Sequence, residues 1–230
     1  MRVLAFDACL GAVSAAAGVL RADGTWESVA SDGQRVTAGH AEALMPMLDR
    51  VMREAGQTFA NLDRIVATRG PGGFTGVRVA VAAARGFVLA TGAKAVGLST
   101  LDALAVSSRD RLGVRADAQP LAIAVDARRG MLFFAQYAPG VRQAEPALLT
   151  AEEAAARIVG PAIVTGSGAP ALRPYLSGDA EVDDFDLQPE ARLFASLAVH
   201  ITSCDVLKPI YLRPPDAKAQ TSFVLPRAPA

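Results

Sequence analysis

Arg64-Ile65-Val66-Ala67-Thr68-Arg69-Gly70-Pro71-Gly72-Gly73-Phe74-Thr75-Gly76-Val77-Arg78 is the stretch that decides the fold. Its first five residues form a β-branched run that reads as a buried strand. The Ala/Val-rich stretch that follows, as far as Thr91, is too long for a strand and free of proline, so it reads as a helix. Between them lies a tight strand-to-helix turn. Pro71 fixes φ, while Gly72 and Gly73 permit positive φ and bring backbone close to whatever sits above the sheet. Thr75 is the expected N-cap, with Phe74 stapled onto Val79 one turn in. Open N–H groups at such a helix start form an anion site. A capped turn that binds nothing accounts for the loop equally well. No Lys-Ser or Lys-Thr pair follows the last glycine, so it is not a P-loop.

Working outward, Arg2–Phe6 reads as a strand running into Asp7, Ala12–Leu20 as a second and Thr25–Ala30 as a third, joined by the hairpin signal Arg21-Ala22-Asp23-Gly24. His40–Ala55 turns helical and Gly56 ends it. After the glycine turn come the helix Gly76–Ala90, a strand at Lys94–Leu98 and a helix from Leu101 to Ser108. Polar residues Arg109 to Gln119 mark a boundary between lobes 1–108 and 109–230. The order then recurs: Leu121–Val125 runs into Asp126, followed by strands at Met131–Tyr137 and Ala144–Leu149. A helix at Ala151–Val159, a strand at Ala162–Thr165 and helices at Ala169–Leu176 and Glu190–Thr202 complete it. A three-stranded meander followed by alternating helices and strands, used twice, predicts a duplicated α/β fold with a cleft between its halves. The second lobe is smaller, and its last helix and Pro-rich tail are expected to return to the first.

Composition narrows the function. The chain has 230 residues, 51% hydrophobic and 20% charged, enough for a sizeable core. Its 23 basic and 23 acidic side chains leave no global footprint for nucleic acid. Cys9 and Cys204 build no disulfide framework, and neither a signal peptide nor a membrane-length apolar run is visible. A cytoplasmic protein without membrane contact is expected.

Asp7 and Asp126 each end the first strand of a repeat. Facing each other across the cleft they would hold a metal–phosphate; alternatively each caps a turn, which the adjoining Arg128 and Arg129 favour for Asp126. Val164-Thr165-Gly166-Ser167-Gly168-Ala169 is a second glycine turn able to back a nucleotide. The candidate nucleotide contacts are therefore Asp7, Gly72, Gly73, Thr75 and Asp126. No metal site is expected: His40 and Glu42 point about 200° apart on a helix, and His200 has no ligand at helical spacing. Both histidines read as structural, and no hydrolase template is present.

The two long helices say more. On His40–Ala55, Leu44, Leu48, Val51 and Ala55 form a stripe, and Ala41, Met45 and Met52 widen it beyond the roughly 100° a helix needs to cover its sheet. On Gly76–Ala90 the only charges, Arg78 and Arg85, fall on one line. Such helices are covered on a second side, by another element of the chain or, as we expect here, by a partner protein. The candidate interface is Ala41, Met45, Met52, Arg78 and Arg85.

These residues resemble a known family. Asp7 after the first strand, His40-Ala41-Glu42-Ala43-Leu44, the stretch from Arg69 to Arg78, Gly97-Leu98-Ser99-Thr100-Leu101, Asp126-Ala127-Arg128-Arg129 and Tyr211-Leu212-Arg213-Pro214-Pro215-Asp216-Ala217 are similar to bacterial TsaB (YeaZ) proteins of tRNA threonylcarbamoyladenosine biosynthesis. The resemblance implies the duplicated ribonuclease-H-like fold of the actin-like ATPase (ASKHA) superfamily, with a mixed sheet and helices in each lobe. It also implies a partnership with the catalytic paralogue TsaD and the ATPase TsaE, which place threonylcarbamoyl on adenosine 37 of tRNAs reading codons that begin with A. The catalytic paralogue holds its metal with two histidines; Thr100 and Leu104 stand at those positions here and cannot ligate one. The family's Asp-Thr at the first strand's end is Asp7-Ala8. The resemblance thus implies a non-catalytic subunit with no intrinsic cofactor, compatible with a nucleotide at the junction with the partner and with a homodimer when alone. It would meet tRNA through the complex. An independent ATPase or small-molecule kinase, and a metalloendopeptidase, are the alternatives.

Overall fold

Strand β1 (Arg2–Asp7) lies at the centre of the first sheet, in a computed structural model that describes residues 1–113, 119–138, 141–176, 178–199, 201 and 207–213. On one side β2 (Ala12–Leu20) and β3 (Trp26–Arg35) continue it antiparallel; on the other, β4 (Arg64–Thr68) and β5 (Lys94–Leu98) run parallel. The small side chains of β2 suit a strand covered on both faces. Ala15 and Ala17 meet the helices α1 (His40–Glu54) and α2 (Phe74–Thr91), while Ala16 and Leu20 meet the opposite layer. Alternation along β1 does the same, with Leu4 and Phe6 to one side and Val3 and Ala5 to the other.

Helix α3 (Thr100–Leu112) joins the lobes. Its Ala103 packs under the first sheet, and its Leu101, Leu104 and Ala105 pack against the second. That sheet is centred on β6 (Leu121–Asp126). It carries β7 (Met131–Ala138), β8 (Val141–Arg142) and β9 (Ala147–Thr150) on the antiparallel side and β10 (Ala162–Thr165) and β11 (Ala180–Val182) on the parallel side. Strands β6, β7, β9, β10 and β11 thus repeat the pairing of β1 to β5, strand for strand. The short α4 (Ala151–Ala155) starts with a capping box between Thr150 and Glu153.

Several expected boundaries move. Strand β3 extends to Arg35 because an edge strand needs no apolar alternation; its residues are mostly exposed. The strand expected at Ala144–Leu149 is the shorter β9, preceded by β8, which was not foreseen, and β11 was not foreseen either. Helix Ala151–Val159 shrinks to α4. The Ala169–Leu176 helix is a 3₁₀ segment, Ala169–Tyr175, in which Pro170 and Pro174 deny helix N–H groups. The long last helix is a four-residue α5 (Ala191–Phe194) continued by the 3₁₀ turn Ala195–Val199. Arg109 to Leu112 belong to α3, not to a linker. The expectations for residues 114–118, His200, Cys204 and the tail from Pro214 fall outside the described residues.

The last described residues return to the first lobe. Phe194, Ala195 and Ala198 pack beneath its sheet, and Leu207 is buried among the residues under α1 and α2. Residues 207–213 then form a strap: Arg85 Nε donates to Leu207 O (2.8 Å), Ile210 N to Arg69 O (2.6 Å), and Arg213 Nη2 to Arg128 O in the second lobe (2.9 Å).

Candidate functional site: the interlobe cleft

The glycine turn is built by contact, not by positive φ. Helix α2 begins at Phe74 with Gly73 as its N-cap, at φ −63°, so neither Thr75 nor a left-handed Gly73 does what the sequence suggested. Only Gly70 in this turn is left-handed, at φ 96°. The turn instead lies on the residues after β1. A Cβ on Gly72 would stand 2.2 Å from Cys9 O, and one on Gly76 2.0 Å from Ala8 O. Gly73 N completes the contact by donating to Cys9 O at 2.8 Å. Phe74 is not a staple on Val79. It is 49% exposed, with the Tyr211 ring centroid 5.7 Å away and the Arg78 guanidinium 3.7 Å above its own ring. The second glycine turn combines the two, Gly166 lying at φ 104° with a Cβ there standing 2.5 Å from Ala124 O in β6.

This contact seals Asp7. Its side chain is buried, Oδ1 accepts from the Thr68 hydroxyl and from Cys9 N (3.2 Å), and Oδ2 has no partner. Burial raises the carboxyl to about 6, against the opposing effect of the Thr68 and Cys9 hydrogen bonds. The Cys9 thiol, 3.3 Å from Thr68 Oγ1, is pushed up to about 12 by burial and by Asp7, which makes it an inert core group.

Between the lobes lies a cleft of about 1250 Å³. Gly72, Gly73, Thr75 and Asp126 line it and Asp7 does not, so the expected pair of facing carboxylates is not formed. Asp126 caps its turn, accepting from Arg128 N at 2.7 Å, while its own N–H donates to Ser167 Oγ at 3.1 Å. His40 lines the cleft wall and is held by Leu10 O, 2.9 Å from its Nε2, which agrees with a structural histidine. Glu42 lies in the first turn of α1, where a carboxylate suits the helix dipole. Among the described residues no group of three metal-ligating side chains is present.

The outer helices divide differently than expected. Ala41 is exposed and Met45 is 48% exposed, but Met52 is 1% exposed in the core and so is absent from any partner surface of the folded chain. Arg78 is engaged by Phe74, and Arg85 anchors the strap. The same chain therefore supplies part of the cover expected for α2. Ala82, Gly86, Leu89 and Ala90 remain exposed, Leu89 at 89%. Sequence reasoning missed Tyr211 and Arg213 as cleft residues, because only the strap brings them there. It also missed the conformation of Arg128 and Arg129, at φ 65° and 56°, for which the hairpin setting Ala127-Arg128-Arg129-Gly130 was the available signal.

Two repeats of one mixed-sheet unit about a cleft define a two-lobed protein of the actin-like, ribonuclease-H-like class. Comparison with known proteins agrees. A family model described as "TsaD: tRNA N6-adenosine threonylcarbamoyltransferase" matches residues 34–178. YeaZ from Pseudomonas aeruginosa superposes with a TM-score of 0.77 at 27% identity, covering 92% of this chain and 99% of that one. An uncharacterized Mycobacterium tuberculosis protein is 32% identical over 94% of this chain and 93% of its own length. The tRNA threonylcarbamoyladenosine biosynthesis protein TsaB of Escherichia coli is 31% identical over 60% of this chain and 55% of its own. The chain belongs to the TsaB/YeaZ family, within the wider group that the TsaD model describes.

Proposed function

We propose that this chain is a non-catalytic subunit of the complex that transfers threonylcarbamoyl to adenosine 37 of tRNAs reading codons that begin with A. It pairs with the catalytic subunit TsaD and with TsaE, in the cytoplasm. The observation that carries this reading is α3. Thr100 and Leu104, which stand where the catalytic paralogue has its metal histidines, are packed into the interior at 0% and 1% exposure. Neither chemistry nor access for a metal remains there. Asp7, sealed under the glycine turn, gives the same support from the other strand end. The partner is met through the exposed apolar residues of α1 and α2, Ala41 and Met45 with Ala82 and Leu89; a second copy takes that place when the partner is absent. A nucleotide, if one is held, sits at the junction of the two proteins.

Depleting the protein in its host and measuring the modified nucleoside in bulk tRNA by mass spectrometry tests this reading. Threonylcarbamoyladenosine should fall and return with the wild-type chain. Alone, the purified chain should bind no stoichiometric metal and hydrolyse ATP no faster than a blank. Steady turnover lost in Asp7→Asn would instead establish an independent ATPase.

A further inference from the structure

We propose that the rim of the cleft, where the strap meets the β6–β7 turn, binds single-stranded RNA. The choice of RNA over DNA rests on the tRNA reading above; the chemistry rests on five side chains that line the cleft, Phe74, Arg78, Arg128, Tyr211 and Arg213. Arg128 and Arg129 occupy two of the three consecutive positive-φ positions of a tight hairpin turn, the third being Gly130, where Asn or Gly fits without strain. A charged side chain kept in so unfavourable a backbone points to use of the charge. The Arg128 side chain is 86% exposed, and its nearest carboxylate oxygen, Asp126 Oδ2, is 4.0 Å away. The carbonyl of the same residue takes the Arg213 guanidinium at 2.9 Å, so a backbone group holds the second cation beside the first. Neither Arg78 nor Arg213 has an ion-pair partner among the described residues.

Beside these cations stand two half-exposed aromatic rings, Phe74 and Tyr211, the first already under the Arg78 guanidinium. Planar rings with interleaved guanidinium groups suit stacked bases and the phosphates between them. A compact metal–triphosphate suits the site less, because Asp7 is sealed beneath the floor and Asp126 is occupied by its turn. The overall balance of 23 basic and 23 acidic residues makes this a local feature of one edge. It is therefore a contact for one short unpaired segment, such as a loop, that adds to whatever a partner contributes.

The test uses the full chain and a labelled anticodon stem-loop RNA, with the same stem lacking its loop as control, followed by fluorescence anisotropy. The wild type should bind the looped RNA more tightly than the duplex, and more weakly as salt rises from about 50 to 200 mM. Phe74→Ala should weaken binding by roughly 5–10-fold. Arg128→Gly removes the charge while suiting the left-handed backbone, so it should weaken binding roughly 3–10-fold with an unchanged or higher melting temperature. Equal binding of loop and duplex, displacement of the RNA by millimolar ATP, or unaltered binding by Arg128→Gly would each overturn the proposal. These readouts need no partner subunit. Loop binding in a protein whose depletion leaves threonylcarbamoyladenosine intact would refute the functional reading and keep this one.

Discussion

Asp7 carries most of the residue-scale physics. The native carboxyl keeps its proton up to about pH 6, whereas an unfolded aspartate releases it near the ordinary value of 3.8. Protonation of Asp7 therefore contributes stability that is complete below pH 3.8 and is lost as pH rises through 6. Above that a buried, ionised carboxylate with one unpartnered oxygen remains, at a cost of about 3 kcal/mol. In Asp7→Asn the Thr68 and Cys9 bonds can persist without the charge. Urea unfolding should show the variant gaining on wild type by about 2.4 kcal/mol between pH 4 and pH 8. A gap that does not change with pH would mean that Asp7 is solvated. The glycines next door are separable in the same way. Gly76→Ala drives a methyl group into Ala8 O and should cost about 3 kcal/mol. At Gly73 the nearest atom to an added Cβ is 3.7 Å away and φ is ordinary, so Gly73→Ala should stay within about 1 kcal/mol by thermal melting.

At the scale of elements, four strands whose apolar or small-residue runs are bounded by turn signals were legible to the residue: Ala12–Leu20, Arg64–Thr68, Lys94–Leu98 and Ala162–Thr165. What was not legible had weak local signals. Strand β11 is three residues long, and parallel pairing with β10 defines it more than its own pattern does. Helix α2 starts at Phe74 because Gly73 is locked onto Cys9 O, a contact about sixty residues away in sequence that overrides the local cap preference of Thr75. The width of the apolar arc on α1 was read correctly, but its assignment was not. Met52 lies in the core and Met45 at the surface, because helical projection gives directions without saying where a sheet ends. The pair makes a clean stability test. Met52→Glu should lose several kcal/mol through a buried unpaired charge, and Met45→Glu about 0.5 kcal/mol or less. Equal melting temperatures would reverse the assignment of the two faces.

For the whole molecule, the duplication was readable from element order, and the cleft followed from it. The return of the tail to the first lobe was also expected, but not that it would run on as a strap to the second, because nothing in a Pro-rich tail names its contacts. The strap ties α2 of the first lobe to the β6–β7 turn of the second, and its anchor is Leu207, 1% exposed. Leu207→Ala should therefore cost about 2–3 kcal/mol, as a core leucine does. A silent substitution would show the tail detached in solution. The central claim, that this chain works by presenting a surface and not by doing chemistry, is tested most directly at Met45. Wild-type and Met45→Glu chains should be co-expressed with the TsaD subunit, purified through a tag on the latter and compared for stoichiometry. The account predicts a one-to-one complex with wild type and loss of co-purification for a Met45→Glu chain that melts at the wild-type temperature. Full co-purification of that folded variant would contradict it.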